Sequence, residues 1–325
     1  SCDIFKHFHM VPTILSIHNA QYQGWFGFDK INLLPKFDVS RINLLEWDGI
    51  VNPLASAIKC AWRITTVSPS YLDELSLAAN GLESLLLAER SKSVGILNGI
   101  DTDVWNTATD PMIENYSVTD LKSGKSTNKK LLCSQFNLDS ELPLFTFIGR
   151  LVGEKGADIL ADVCSMALTY YKNQINILIL GSGEKAVEEE LLALRKNHVG
   201  NYNVFIGYDE KLAHRIYAGA DFLLMPSRVE PCGLNQMYAM RYGTIPIVRK
   251  TGGLKDTVID ISESGFGICH DHVTVQDVVL AISRAVELYA KKDKFGSVRQ
   301  KAMTIDHSWD KVAGDYIKIY ESLKT

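Results

Sequence analysis

From residue 144 onward, short and almost wholly apolar runs alternate with longer stretches of helical spacing. The runs at 144–148, 175–180, 203–206, 222–225 and 245–248 are too short for helices and read as strands buried on both faces. Over 157–172, 184–196 and 210–218 the apolar positions recur with helical period, and from Thr274 to the end the pattern is again helical. Strand and helix in turn, with short connections, predict a parallel sheet with right-handed crossovers, a doubly wound α/β domain. The earlier part of the chain is less regular. Residues 11–17 read as a strand, 52–62 as a helix and 63–67 as a strand, and Ser68-Pro69-Ser70 supplies an N-cap and an N1 proline for a helix running to Asn80. A short helix and a strand at 93–97 follow. Residues 107–141 interrupt the rhythm with dispersed Thr, Ser, Asn, Lys and Asp, which predicts a linker or a peripheral helix.

The strand ends carry the chemistry. The run at 222–225 stops at Pro226 and leads into Ser227-Arg228-Val229-Glu230-Pro231-Cys232-Gly233-Leu234-Asn235, with a helix predicted to open near Gly233. In open α/β sheets, ligands sit beyond the carboxyl ends of strands, and a helix N-terminus presents N–H groups to anionic oxygens. Glu230 beside the amides of Gly233, Leu234 and Asn235 suits a ligand with both hydroxyls and phosphate; a surface loop with an incidental glutamate is the alternative. The run at 144–148 ends in Gly149-Arg150-Leu151-Val152-Gly153-Glu154-Lys155-Gly156. Arg150 as a planar fork and Lys155 as a point charge would clamp a diphosphate, with glycines such as Gly149 letting the backbone come close. Solvated surface charge is the alternative. Thr251-Gly252-Gly253-Leu254 either gives amides to an anion or only turns the chain, and Gly181-Ser182-Gly183 lacks the full dinucleotide fingerprint. His18, in His18-Asn19-Ala20-Gln21-Tyr22-Gln23-Gly24, closes the first strand as either a substrate contact or a satisfied structural residue.

Composition narrows the classes. A chain of 325 residues is long enough for two domains, and 34 basic against 38 acidic residues, net charge -4, gives no general pull toward nucleic acid or membrane. Cys2, Cys60, Cys133, Cys164, Cys232 and Cys269 form no Cys-x-x-Cys pair, which fits a reduced, cytosol-like compartment. No apolar stretch reaches the roughly 20 residues of a membrane span, and the start lacks the features of a signal peptide. It also lacks an initiating Met, as a trimmed or incomplete chain would. Asp101-Thr102-Asp103 reads as helix capping rather than a cation site. Cys269-His270-Asp271-His272 points successive side chains in opposite directions, which disfavours zinc. Neither a Gly-x-Ser-x-Gly elbow nor a Walker-type loop is present, which argues against a hydrolase of that class and a P-loop NTPase; with both metal-like patterns disfavoured, no metal site and no cofactor is named.

Taken together, six segments resemble the bacterial glycogen synthases and plant starch synthases, retaining glucosyltransferases of the GT-B fold. They are His18 to Gly24, Ile64-Thr65-Thr66-Val67-Ser68-Pro69-Ser70-Tyr71, Gly95-Ile96-Leu97-Asn98-Gly99-Ile100-Asp101, the Gly149 to Gly156 loop, Glu230-Pro231-Cys232-Gly233-Leu234 and Thr251-Gly252-Gly253-Leu254, in family order. The resemblance implies two Rossmann-like doubly wound domains, the N-terminal one only partly present. Residues 1–110 would form the partial acceptor-side domain, 111–141 a linker, 142–305 the nucleotide-sugar domain and 306–325 a helix packing back. It implies transfer of glucose from ADP-glucose to an α-1,4-glucan, in the cytoplasm or a plastid stroma, with no nucleic acid, membrane or metal partner. Arg150 and Lys155 would hold the diphosphate, Glu230 the donor glucose, His18 the reacting sugar and Tyr208 the adenine. Asn98, Gly149, Cys232, Gly233, Leu234, Asn235, Thr251, Gly252 and Gly253 would complete substrate binding. Three departures stand out. The family's Lys-x-Gly-Gly-Leu loop has no counterpart before His18, Tyr238 stands where many GT-B enzymes carry a second Glu, and Ala55 stands where Lys is frequent. An ADP- or glucan-binding fragment without turnover, or a UDP-glucose-dependent transferase, are the competing readings.

Overall fold

The computed structural model describes residues 11–324; Cys2 and the start of the chain lie outside them. The chain divides into two compact units. One runs to Asn98 and resumes from Asp310, and the other is Gly99–Trp309.

In the first unit come β1 (Ile14–Ile17), the short antiparallel pair β2 (Glu46–Trp47) and β3 (Ile50–Val51), α1 (Pro53–Cys60), β4 (Arg63–Thr66), α2 (Pro69–Leu75), α3 (Glu83–Ala88) and β5 (Ser93–Gly95). Strands β1, β4 and β5 form a parallel sheet in that order. Local chemistry sets the helix starts: Asn52 caps α1 by accepting from Ala55 N, Ser68 caps α2 by accepting from Tyr71 N, and both helices open on proline. The helix predicted to reach Asn80 ends at Leu75, and the chain turns at Asn80 and Gly81, both with positive φ. At Gly95 a side chain would collide with the start of α2, its Cβ lying 2.4 Å from Pro69 N.

The second unit holds α4 (Leu121–Phe136), β6 (Leu144–Leu151), α5 (Leu160–Tyr170), β7 (Asn176–Gly183), α6 (Lys185–Leu194), β8 (Tyr202–Ile206), α7 (Glu210–Gly219) and β9 (Phe222–Met225). It continues through α8 (Asn235–Arg241), β10 (Ile245–Arg249), α9 (Gly252–Thr257), β11 (Ile268–His270), α10 (Val275–Ala290) and α11 (Lys292–Met303). The last helix, α12 (Trp309–Glu321), belongs to the first unit from Asp310 onward. The sheet is parallel throughout, in the order β11-β10-β9-β6-β7-β8. Counted from β6 this is the Rossmann order 3-2-1-4-5-6, whose direction reverses between β6 and β9.

Alternate strand residues serve opposite layers. Phe145, Ile177, Ile179, Phe222, Leu224, Ile245 and Ile247 pack with α5 and α10, whereas Leu178, Leu180, Leu223, Met225 and Val248 face the layer of α4, α7 and α8. Burial of both faces is why these strands read as continuous apolar runs. Two strands run three residues past their predicted ends. Strand β6 continues through Arg150, and β7 takes in Gly181-Ser182-Gly183, which reads as a loop in the sequence but pairs residue for residue with Gly149-Arg150-Leu151. A Cβ on Gly181 would lie 2.2 Å from Gly149 O, so glycine there permits the pairing.

Of the two expectations for residues 107–141, a linker or a peripheral helix, the structure has a helix over Leu121–Phe136, more deeply packed than a peripheral one. Helix α4 packs against α7, and it buries Lys125, Asn128 and Lys129 alongside Leu132 and Cys133. Lys125 Nζ donates to Tyr217 O (2.8 Å) and Thr244 Oγ1 (2.6 Å), and Lys129 Nζ donates to Asp221 Oδ2 (2.7 Å). Asp221 also takes Arg299 Nη2 (2.6 Å) and Leu144 N (2.8 Å), tying the starts of β6 and β9 to helices on both faces. Burial alone would raise the Asp221 carboxyl; Lys129 and Arg299 outweigh it and hold the group below its ordinary value. Polar residues in this segment are buried because each is paired, which composition does not show. Nor does Asp101 start a helix: its Oδ1 accepts from Asp103 N and Val104 N and closes a turn.

Candidate active site

The reversal between β6 and β9 opens a crevice at the carboxyl edge of the sheet, where neighbouring connections diverge to opposite faces. Two connections meet there. One leaves β6 through Gly153-Glu154-Lys155-Gly156, and the other leaves β9 through Pro226 to Leu234. Their contact is close: Gly156 has φ +68°, and a Cβ on it would fall 2.2 Å from Pro226 O. Only glycine allows both the left-handed backbone and this approach.

Lys155 and Glu230 meet in that crevice. Lys155 Nζ lies 2.7 Å from each carboxylate oxygen of Glu230, and Ser227 Oγ donates to Glu230 Oε2 at 3.0 Å. The Glu230 side chain is 9% exposed and that of Lys155 23%, so the carboxylate is held from behind while the ammonium keeps an open side. The Glu230 backbone is fixed as well. Its carbonyl accepts from Gly253 N at 3.0 Å, and Gly252, with φ +42°, leaves 2.1 Å between that oxygen and the place of a Cβ. Of the two readings of this glycine pair, amides for an anion or a turn only, the Gly253 amide fits neither an anion contact nor a free turn, since it donates to Glu230 O. Buried Thr251 precedes this pair, and a Cβ on Gly253 would lie equally close, 2.1 Å, to the carbonyl oxygen of buried Cys232.

Arg150 stands on the last turn of pleat of β6, exposed, with Nη2 3.2 Å from Glu154 Oε2. Such an exposed pair is worth little and yields readily to a stronger anion. Gly149 precedes it in the strand. Gly233 has φ +74° and leads through Leu234 into α8, which opens at Asn235, two residues after the predicted start. Asn235 Nδ2 donates to Ile148 O at 2.7 Å, pinning the helix start to the end of β6. Tyr208 follows Gly207 at the carboxyl end of β8, on the same sheet edge, and is 85% exposed. The second unit therefore carries Gly149, Arg150, Lys155, Glu230, Cys232, Gly233, Leu234, Asn235, Thr251, Gly252 and Gly253 at the carboxyl end of its sheet, on or just after the neighbouring strands β6, β9 and β10. His18 and Asn98 belong to the first unit. Exposed His18 follows β1, and half-buried Asn98 follows β5.

Sequence reading missed the scaffolding of this site. Ser227, Arg228, Asp158 and Arg249 all brace the two connections, but nothing in the sequence says that β6 and β9 are neighbours. Cys269 and His270 diverge as expected from adjacent strand positions: Cys269 Sγ donates to Val258 O, and burial pushes its thiol up to about 12. His270 Nδ1 lies 3.0 Å from His272 O. Among the described residues no three His, Cys, Asp or Glu side chains gather as a metal cluster.

Comparison with known proteins fits this geometry. Residues 129–301 match the family model of glycosyl transferases group 1, and residues 3–88 match that of the starch synthase catalytic domain. A glycogen synthase of Flavobacterium johnsoniae is 57% identical over 97% of this chain and 67% of its own length. One from Rhodospirillum rubrum is 41% identical over 96% of this chain and 65% of its own. The catalytic domain of starch synthase IV from Arabidopsis thaliana, solved bound to ADP and acarbose, superposes with a TM-score of 0.88 at 35% identity, covering 96% of this chain and 67% of that one. A sucrose-phosphate synthase from Thermosynechococcus elongatus, at 19% identity and a TM-score of 0.60, shares the fold alone. The chain spans about two thirds of the length of these relatives. With a glycosyltransferase model over more than half of its residues and close relatives along nearly all of them, the chain belongs to the glycogen and starch synthase family of GT-B glycosyltransferases.

Proposed function

We propose that the chain transfers glucose from ADP-glucose to the non-reducing end of an α-1,4-glucan with retention of configuration, working in the cytoplasm. The observation that carries this reading is the meeting of Lys155 and Glu230, with Arg150 on the adjoining strand end, at the topological switch point. Breaking the anomeric C–O bond puts positive character on the sugar ring and negative charge on the departing diphosphate. Fixed cations beside that diphosphate lower the barrier most when the charge develops. Arg150 and Lys155 have this role. Glu230, immobilised by Lys155, Ser227 and Gly253, grips hydroxyls of the donor glucose. Tyr208 offers an exposed ring to the adenine, and the backbone at Gly149, Gly233, Leu234, Asn235 and Thr251-Gly252-Gly253 shapes the crevice with Cys232. For His18 and Asn98, which lie in the first unit, a substrate contact rests on the family resemblance alone.

ADP as the donor base is supported by the ADP-bound starch synthase relative. Among the described residues no helix is long and apolar enough to cross a membrane. The test is incorporation of labelled glucose into glycogen from ADP-glucose, with UDP-glucose in parallel. Transfer from ADP-glucose at a kcat/KM at least about tenfold higher, a difference of about 1.4 kcal/mol, is the expected result; preference for UDP-glucose would overturn the donor assignment. A second reading is a chain that binds the donor without turnover. ADP binding without transfer is its signature.

A further inference from the structure

We infer that Arg228 is a positioning residue of the donor site, clasping the connection that carries Lys155 to the connection that carries Glu230. The inference rests on the diphosphate role proposed above for Lys155. Lys155 and Glu230 are far apart in sequence and leave different strands, so their meeting depends on what holds the two connections in register. Arg228 Nη1 donates to Gly153 O at 2.8 Å, and its guanidinium spans the carboxylate of Asp158, with Nη2 2.8 Å from Oδ2. Gly153 and Asp158 flank Lys155 on either side, so one planar fork spans the short turn that sets where the ammonium can reach. The backbone repeats the clasp: Arg228 N and Val229 N both donate to Glu154 O, at 2.8 and 3.3 Å.

Arg228 is itself anchored. Arg249 Nη1 donates to Arg228 O at 2.7 Å, while Arg249 Nε donates to Asp271 O at 3.1 Å, which ties the clasp to the ends of β10 and β11. The side chains of Arg228 and Asp158 are 40% and 45% exposed. A pair so open to solvent contributes little to stability, so its three-point geometry serves position. Lysine cannot reproduce it, since a single ammonium lacks the planar fork that reaches a carbonyl and both carboxylate oxygens together.

The test is calorimetric titration of ADP and of AMP into the intact chain and into Arg228→Ala, Arg228→Lys, Asp158→Ala and Lys155→Ala. A displaced Lys155 harms recognition of the second phosphate above all. Arg228→Ala is expected to weaken ADP about tenfold and AMP hardly at all, Arg228→Lys to behave like alanine, and melting temperatures to stay within about 3 °C. A purely structural role would lower ADP and AMP affinity together, and that result overturns the inference. An unchanged ADP-to-AMP ratio in Arg228→Ala, with a reduced one in Lys155→Ala, also overturns it but leaves the donor site standing. An unchanged ratio in Lys155→Ala defeats the donor-site reading itself and the inference with it.

Discussion

Glu230 shows how much of a site lies in what holds a side chain in place. Its carboxylate is shared with Lys155 and Ser227, and its carbonyl is held by Gly253. On the proposed mechanism, Lys155→Ala and Arg150→Ala each lower kcat by about 10²-fold, the scale of lost charge-stabilising donors; steady-state rates with ADP-glucose check this, and near-normal turnover contradicts the roles. Gly252→Ala tests the backbone side of the same residue. With φ +42° and only 2.1 Å to Glu230 O, the variant is expected to lose about 1–3 kcal/mol of stability and to bind donor more weakly. A thermal melt indistinguishable from the parent would mean the backbone yields at no cost. The place of Arg150, Lys155, Glu230 and the Gly252-Gly253 pair beyond or at the carboxyl ends of strands was legible in the sequence, because charged and glycine residues soon after an apolar run mark where a strand ends; what each does there was not. Ser227, Arg228 and Arg249 were not, because their partners lie on other connections and only the strand order brings those together.

At the scale of elements, strands with two buried faces announced themselves, whereas residues 107–141 left a linker and a peripheral helix both open and gave no sign that the helix would be buried. Helix α4 looks solvated in the sequence because Lys125 and Lys129 sit on the face it buries. Their enclosure depends on Asp221, Tyr217 and Thr244, none of which is local. Asp221→Ala strands Lys129 and Arg299 without their shared carboxylate, and a loss of about 3–5 kcal/mol is expected, measurable by denaturant unfolding. A loss under about 1 kcal/mol would mean that the cluster is effectively solvated. Asp260 gives a pH-dependent case. Burial by itself raises its carboxyl, but bonds from Arg284 Nη2, Ser262 and Cys269 N prevail and hold it at about 2. This lies below the unfolded value of about 3.9, so its stabilisation is fully present above that value and is lost as pH falls through about 2. The stability difference between the parent and Asp260→Asn should therefore shrink steadily from about pH 5 to about pH 2. A difference that is constant over that range would contradict the assigned ionisation.

At the scale of the molecule, the chain passes between its units twice, at Asn98–Gly99 and at Trp309–Asp310. The second unit carries a complete Rossmann order, with Arg150 near the end of β6 and Lys155 on the connection that leaves it, beside the reversal. Family membership adds what no single unit shows: the six sequence segments that resembled glucan synthases run through both. The account's central claim is that this reversal is a nucleoside-diphosphate site with Lys155 at its centre. Calorimetric titration of ADP into the folded chain and into Lys155→Ala tests it most directly. The account predicts saturable one-to-one binding that weakens at least about tenfold, or about 1.4 kcal/mol, in the variant. A folded chain that does not bind ADP, or a variant that binds it as tightly as the parent, would contradict the claim.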